Sequence, residues 1–427
     1  MPHKQPAFAP FCPFFQHFEE FLLQSAFCKI TLVGATNDIN EHDNKPRMNH
    51  FARQVGERIR LAREAKAMTQ EAFAKALGQN NHQTVSAIET GLRQLQPSEL
   101  TRACQILQQP LSFFTDPYVV TDSRAFSYRA KPDSKDIGAF ERKAHSLISA
   151  NRRFREMLDE PAAPFGQQLR GLTKQSPVYQ ATAVGERVYR ALRLGDPPAL
   201  RLRETIEAAC KVMVLFVDAP QSISGAACHL PDGDFILINR TEASFRRHFD
   251  LGHEFFHILT WIEMPPERLD PELEGKEKPK VEKLADAFTA GLLMPYEVVS
   301  KRWQARQPNL DIHDAILETA KELRVSGKAM YWRLVNTSLL SKPEQDLVDP
   351  DKLSRPDDND PSGRPNVFNA EFVRRLHAVL QRGLLSARKA SELLDCDPDD
   401  LGSICADYGH PSPVCAPTLP TNAAAPC

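Results

Sequence analysis

At 427 residues and 42% hydrophobic, the chain is long enough to bury two or three cores, and its net charge of −2 identifies no partner, because the charge is unevenly placed. No window approaches the ~20 apolar residues that a bilayer-spanning helix needs, so no membrane partner is expected. Nine cysteines, an odd number with no C-x-x-C pair, fit reduced thiols in the cytoplasm better than a disulfide framework or a Cys-ligated metal.

The first stretch differs from the rest. Seven phenylalanines crowd between Phe8 and Phe27 among prolines, with neither helical nor alternating period. A basic head followed by an unbroken apolar core is missing, so a signal peptide is not expected. Residues 1–50 are expected to be a disordered or mis-called extension, with Met48 as the functional start, because periodic structure begins just after it.

From Phe51 the pattern is helical, with Val55, Ile59 and Leu61 opposite Arg58, Arg60, Arg63 and Lys66. Thr69 is a good N-cap for a helix that stops at Gly78, and a polar turn leads to a second short helix from His82 to Glu89. Val85 and Ile88 face inward there. Leu100, Ala103, Ile106 and Leu107 supply a further helix. Short helices joined by a Gly-containing turn describe a helix-turn-helix over 51–117. Gln70-Glu71, Ala74, Leu77-Gly78 and Thr84-Val85-Ser86-x-Ile88-Glu89-x-Gly91 resemble the five-helix DNA-binding domain of Cro/C1 (XRE-like) repressors, across about 65 residues. The resemblance implies double-stranded DNA as partner, with His82, Gln83, Thr84, Ser86 and Ala87 facing the major groove and Gln70 and Arg93 on phosphates. Eight Lys/Arg against five Asp/Glu from Phe51 to Thr115 give a weak electrostatic footprint for it. A helical module that holds a partner repressor is the plainer reading.

Residues 118–165 read as a connection, including a basic amphipathic helix from Ala139 to Leu158 expected to be solvated. Helices follow near Glu186–Leu194 and Ala199–Cys210. Lys211–Val217 is β-branched and reads as a buried strand. Ser224–His229, the turn Pro231-Asp232-Gly233-Asp234 and Phe235–Asn239 make a hairpin. In metallopeptidases the strand before the zinc helix usually offers its edge to a substrate backbone, a role that would suit Phe235–Asn239 where such a helix follows. His229 and His248 are expected to be surface or cap histidines.

Next comes His253-Glu254-Phe255-Phe256-His257, an H-E-x-x-H pattern. On a helix, positions four apart lie one turn above each other, so both imidazoles converge on one point and can hold Zn²⁺. Glu254, one step round, reaches the water that such a metal activates rather than the metal itself. By chance the pattern is expected in about one per cent of chains of this length and composition, so it needs support. A helix with two partly buried, backbone-satisfied histidines would look the same. Support comes from Glu282, the best third ligand, on a second apolar-striped helix. Asp286, one turn on, is placed to accept from the free ring nitrogen of a ligating histidine. Thr260 and Glu263 stand where a metzincin would need Gly and His.

I-S-G-A at Ile223–Ala226, F-I-L-I-N-R at Phe235–Arg240, R-H-F-D-L-G-H-E-F-F-H at Arg247–His257 and E-K-L-A-D-A-F-T-A-G-L-L-M-P at Glu282–Pro295 together resemble the ImmA/IrrE family of zinc metallopeptidases, often joined to XRE-like domains. The resemblance covers about 170–340, within an expected domain of 166–342. It implies His253, His257 and Glu282 as zinc ligands, Glu254 as base, and a repressor-type protein as substrate, either a neighbouring gene product or another copy of this chain, which leaves room for a homodimer. The chain departs from the family at Asp250-Leu251-Gly252, where a small or hydroxyl residue, Leu and Ala are commoner, and at Phe256, where Gly is common. Residues 343–366 read as a linker, 367–409 as a small helical hairpin for protein contact, and 410–427 as a disordered tail. The expected fold class is mainly α (α+β): the five-helix module, a zincin-like domain with a small β-sheet, and the hairpin. The expected function is a zinc endopeptidase and DNA-binding regulator. A non-proteolytic regulator, or an antitoxin whose zinc domain senses a ligand or partner, is the alternative.

Overall fold

The computed structural model describes residues 50–79, 81–115, 126–130, 137–162, 169–220, 223–230, 232–265, 278–307, 309–353 and 363–411. The expected extension with its Met48 start, the tail from 412 and the middle of the 343–366 linker lie outside them.

The fold is mainly helical with one small sheet. Helices α1 (His50–Ala65), α2 (Gln70–Leu77), α3 (His82–Glu89), α4 (Pro97–Leu107) and α5 (Leu111–Thr115) form the N-terminal module. Val55, Ile59, Phe73, Leu77, Val85, Ile88, Leu107 and Phe114 close its core. Thr69 Oγ1 accepts from the Ala72 backbone N–H, and Gly78 ends α2 in the left-handed region at φ 81°. Inside the module, Arg63 and Glu89 form a buried ion pair at 2.6 Å. Arg58 donates to the Phe114 carbonyl at 3.2 Å and holds α5 to α1.

Strand β1 (Phe126–Ala130) and helix α6 (Ile137–Met157) come next, then α7 (Val178–Leu192) and α8 (Pro198–Thr205), which runs into a π-helical turn at Ile206–Cys210. Strands β2 (Met213–Val217), β3 (Ile223–Leu230) and β4 (Gly233–Asn239) complete a four-stranded sheet of order β1-β3-β4-β2. β3 and β4 pair as an antiparallel hairpin, and β2 runs parallel to β4. Beyond the sheet lie α9 (Ser244–Thr260), α10 (Lys280–Leu293), α11 (Tyr296–Gln304), α12 (Ile312–Leu323), α13 (Gly327–Asn336) and α14 (Lys342–Leu347). The last helices are α15 (Ala370–Gln381), α16 (Ala387–Leu394) and α17 (Asp400–Ala406).

Both faces of the sheet are covered, which is why its strands read as apolar runs rather than alternating ones. Val214, Phe216, Ala227, Ile236 and Ile238 face a core built by α7 to α13. Met213, Leu215, Ala226, Cys228, Phe235 and Leu237 face a second core built by α6 and α15 to α17.

Four expectations are corrected here. The basic stretch at Ala139–Leu158 is no solvated connector. Phe140, Ala144, Leu147, Ile148 and Phe154 of α6 are buried on the sheet, because the apolar stripe between the arginines has a face to cover. The region 367–409 holds three helices rather than a hairpin, and its apolar side is turned onto α6 within the same chain. Phe372 meets Phe154 edge to face at 5.5 Å. The 343–366 stretch contributes the end of α14 and a 3-10 turn at Pro350–Leu353, with Leu353 buried. Finally, β4 is interior. It is paired by β3 on one side and β2 on the other, so Phe235–Asn239 has no edge for a substrate backbone.

If α6 is a core element, Phe154→Ala should lower unfolding free energy by about 3–5 kcal/mol, the usual cost of emptying a buried phenylalanine site. Urea denaturation of the full chain measures this, and a solvated helix would lose less than ~0.5 kcal/mol.

Candidate metal centre

Helix α9 presents His253 and His257 on one face, one turn apart, at 0% and 1% exposure. The first turn of α10 brings Glu282 against them. His253 Nε2 lies 3.0 Å from Glu282 Oε2 and 3.3 Å from His257 Nε2, and His257 Nε2 lies 3.3 Å from Glu282 Oε1. The three side chains thus offer ligand atoms within 4.8 Å of one another. Zinc bonds of ~2.0–2.1 Å place tetrahedral neighbours ~3.3 Å apart, so these spacings fit one ion held by three protein ligands. Two imidazoles and one carboxylate are also the donor set that suits zinc and leaves a coordination position open.

Asp286, one turn along α10, faces His253 Nδ1 at 3.0 Å, and Lys278 pairs with its second carboxylate oxygen. That bond fixes the tautomer that leaves Nε2 for a ligand. Burial alone would lower the His253 pKa, but its bonds to Asp286 and Glu282 outweigh this and raise it to about 9. For Glu282 burial acts upward, yet the two imidazoles hold its carboxyl far below the usual range; burial acts upward on Asp286 too, and His253 with Lys278 outweighs it and lowers that carboxyl. The group as a whole favours a cation among its carboxylates.

Glu254 sits beside His253 and is fully buried beneath β3. A Cβ at Gly225 of β3 would stand 3.3 Å from Glu254 Cγ and 3.0 Å from the Leu237 carbonyl, so the bare glycine backbone eases the close passage of the strand over this side chain. Gly252 has a similar reason. A Cβ there would meet Thr289 Cγ2 at 2.8 Å, and the glycine lets α9 and α10 close on each other. Phe256, one turn beyond Gly252, packs between the helices, 5.4 Å from the Phe288 ring and 5.8 Å from that of His257.

A polar cluster at the start of α9 is missing from the sequence reading. Ser224 Oγ donates to Glu242 Oε1 at 3.0 Å, and Arg246 Nε lies 2.9 Å from Glu242 and 3.9 Å from Asp250. Burial, with the neighbouring Asp250, pushes the Glu242 carboxyl up to about 7. The sequence signal was only the spacing E-x-x-x-R-x-x-x-D, common on solvated helices. His229 is held by Asp234 at 2.5 Å and His248 lies 3.4 Å from the Arg324 carbonyl, so neither enters the metal group.

In the N-terminal module, His82 and Gln83 at the start of α3 are exposed, and Thr84, Ser86 and Ala87 are half-buried on the same short helix. The two residues expected to touch phosphates also bond within the module. Gln70 Nε2 donates to Glu89 at 2.7 Å, and Arg93 forms a two-point pair with Glu99 at 2.8 and 3.1 Å. Both are held within the module because a carboxylate from another helix lies in reach, which sequence spacing does not reveal.

This fold and site define a helix-turn-helix module followed by a helical domain whose paired helices carry an H-E-x-x-H sequence and a third acidic group. Residues 208–335 match the family model of the IrrE N-terminal-like domain, a peptidase family, and residues 54–112 match that of a helix-turn-helix domain. The chain therefore joins a helix-turn-helix domain to an ImmA/IrrE-type domain. No curated protein matches it.

The Glu242 carboxyl is held above its ordinary 4.5, at about 7, so its contribution to stability is complete below pH 4.5 and is lost as pH rises through 7. Glu242→Gln, neutral throughout, should therefore gain stability relative to the native chain between pH 4.5 and 7. Urea midpoints of both proteins across that range check the sign.

Proposed function

We propose that this chain is a DNA-binding transcriptional regulator of the cytoplasm and a zinc-dependent endopeptidase that cuts a repressor-type protein. The observation that carries the reading is the convergence of His253, His257 and Glu282 on one point, with Glu254 buried alongside. His253, His257 and Glu282 would hold the ion, and Asp286 would keep the His253 ring in the ligating orientation. Zn²⁺ there would supply Lewis acidity toward the scissile carbonyl and bring the pKa of water toward neutrality. Glu254 takes the proton from the attacking water on a carboxylate oxygen and returns it to the leaving amine.

For DNA, His82, Gln83, Thr84, Ser86 and Ala87 form the reading surface of α3, and Gln83 can meet adenine with two hydrogen bonds. Gln70 and Arg93 would touch the flanking phosphates. The second reading is a non-proteolytic regulator or antitoxin whose zinc domain senses a ligand or partner. It draws on the closed site: His253, Glu254 and His257 are at most 1% exposed, which suits a sealed structural ion.

Glu254→Gln separates the two readings. It keeps the size and removes the base, so zinc content should stay unchanged while cleavage of a repressor encoded nearby falls ~10²–10⁴-fold. A variant that regulates its target genes as well as the native chain leaves the sensor standing. Glu282→Ala should lose zinc, measured by atomic absorption, and with it folding free energy.

Gln83→Ala should cost about 1–3 kcal/mol of DNA affinity at one base position. Equal binding to promoter and random duplex at a stated salt concentration would instead favour a protein-binding module.

A further inference from the structure

A peptide that binds to a sheet by adding a strand needs an unpaired edge. The sheet beside the metal centre has the order β1-β3-β4-β2, and β3 is the strand that crosses Glu254. One side of β3 is taken by β4. The other is taken by β1, the segment Phe126–Ala130 that follows the helix-turn-helix module in the chain.

The pairing is antiparallel, from Phe126 opposite Cys228 to Arg129 opposite Gly225, the residue whose missing side chain makes room for Glu254. It ends in a register shift between Arg129 and Ala130, where Ala130 falls opposite Ile223 and Ser224 is skipped. A bulge turns the local strand and ends regular pairing at that point. The chain thus lays its own backbone along the edge nearest the catalytic carboxylate. The same centre is closed to solvent, with Glu254 at 0% exposure.

Resting on the peptidase reading above, we propose that the β3 edge is the docking edge for an extended peptide substrate, and that Phe126–Ala130 occupies it in cis as a competitor. Strands are ~4.8 Å apart, so a peptide added outside β1 would lie one strand spacing further from Glu254 than one added to β3. Tethering favours the occupant strongly, because a short connection gives an effective concentration on the order of millimolar. Cutting an external chain then requires β1 to leave. Because β1 lies between the DNA-reading module and α6 in the sequence, events at the module have a covalent route to the edge.

The test uses the full chain carrying Glu254→Gln, so that nothing is hydrolysed. Ser127→Pro with Tyr128→Pro removes two successive backbone N–H groups, one of which must point into the ladder. The probe is a synthetic peptide of residues 124–132. Its affinity for the proline variant should exceed that for the parent by about tenfold or more, and equal affinity overturns the proposal. Zinc content and hydrogen exchange in α9 report whether the variant keeps its fold. Independently of any variant, the β3 amides that face β1 should be protected in the parent, though less than those that face β4, because β1 can leave while β4 stays. Exchange on the β1 side at the rate of an unpaired strand overturns the proposal even if the proline variant fails to fold.

On the Glu254 background the proline variant should also cut a repressor substrate faster than the native chain. Peptide binding as expected with no cleavage by either protein leaves the docking edge intact and removes the peptidase reading instead. A native chain cut between 126 and 130 makes the segment a substrate, and overturns its role as competitor.

Discussion

The approach of α9 to α10 is the constraint on which the site depends. Two imidazoles and two carboxylates are drawn from two separate helices and held within hydrogen-bonding distance, the imidazoles out of water and the carboxylates partly exposed. Buried ionisable groups are costly unless each meets an opposite charge or a metal. His253 meets this by lying between Glu282 and Asp286, while Lys278 takes the outer oxygen of Asp286. Close packing makes the arrangement possible. Gly252 removes the side chain that would push α9 off Thr289, and Phe256 against Phe288 fills the remaining space with carbon. Gly252 and Phe256, one turn apart on the same face of α9, thus meet α10 together, the one leaving room for it and the other packing against it.

The sheet gives this helix pair a fixed support. A strand buried on both faces cannot tilt without breaking two cores, so β3 and β4 hold Glu254 from above as firmly as α10 holds the histidines from the side. The second core is supplied by α6 and the C-terminal helices, elements far apart in the chain. Ion pairs reinforce their contact: Arg374 and Arg375 of α15 share Glu160 just beyond α6, and Arg152 of α6 lies 2.7 Å from Asp232 in the β3–β4 turn. The C-terminal region is therefore part of the platform rather than a free appendage.

In the N-terminal module, charge is used differently. Arg63, Glu89 and Gln70 form one connected network that ties α1, α2 and the end of α3. Arg93 and Glu99 tie the following turn to α4. These bonds fix the orientation of α3 while His82 and Gln83 at its start remain open to a partner. The groups that set the geometry and those that face outward are thus separate residues.

Much of this was legible from local patterns. The i, i+4 spacing of His253 and His257 depends only on helical pitch, so the sequence was enough to place both rings on one face. The apolar spacing and caps of the short N-terminal helices are equally local, as is the hairpin of β3 and β4, whose turn residues adjoin its strands. The strand order was not legible, because pairing of Phe126–Ala130 with β3 joins segments about a hundred residues apart and leaves no trace in spacing. For the same reason α6 read as a solvated basic helix: its stripe of Phe140, Leu147 and Phe154 acquires meaning only with a sheet to cover. Gln70 and Arg93 gave no sign of their bonds within the module, because the carboxylates that meet them come from other helices. The sequence by itself determined the groups each helix would present, since backbone pitch fixes that at short range. Which faces and edges stayed open was decided only by the tertiary structure, since that depends on what the distant chain lays against them.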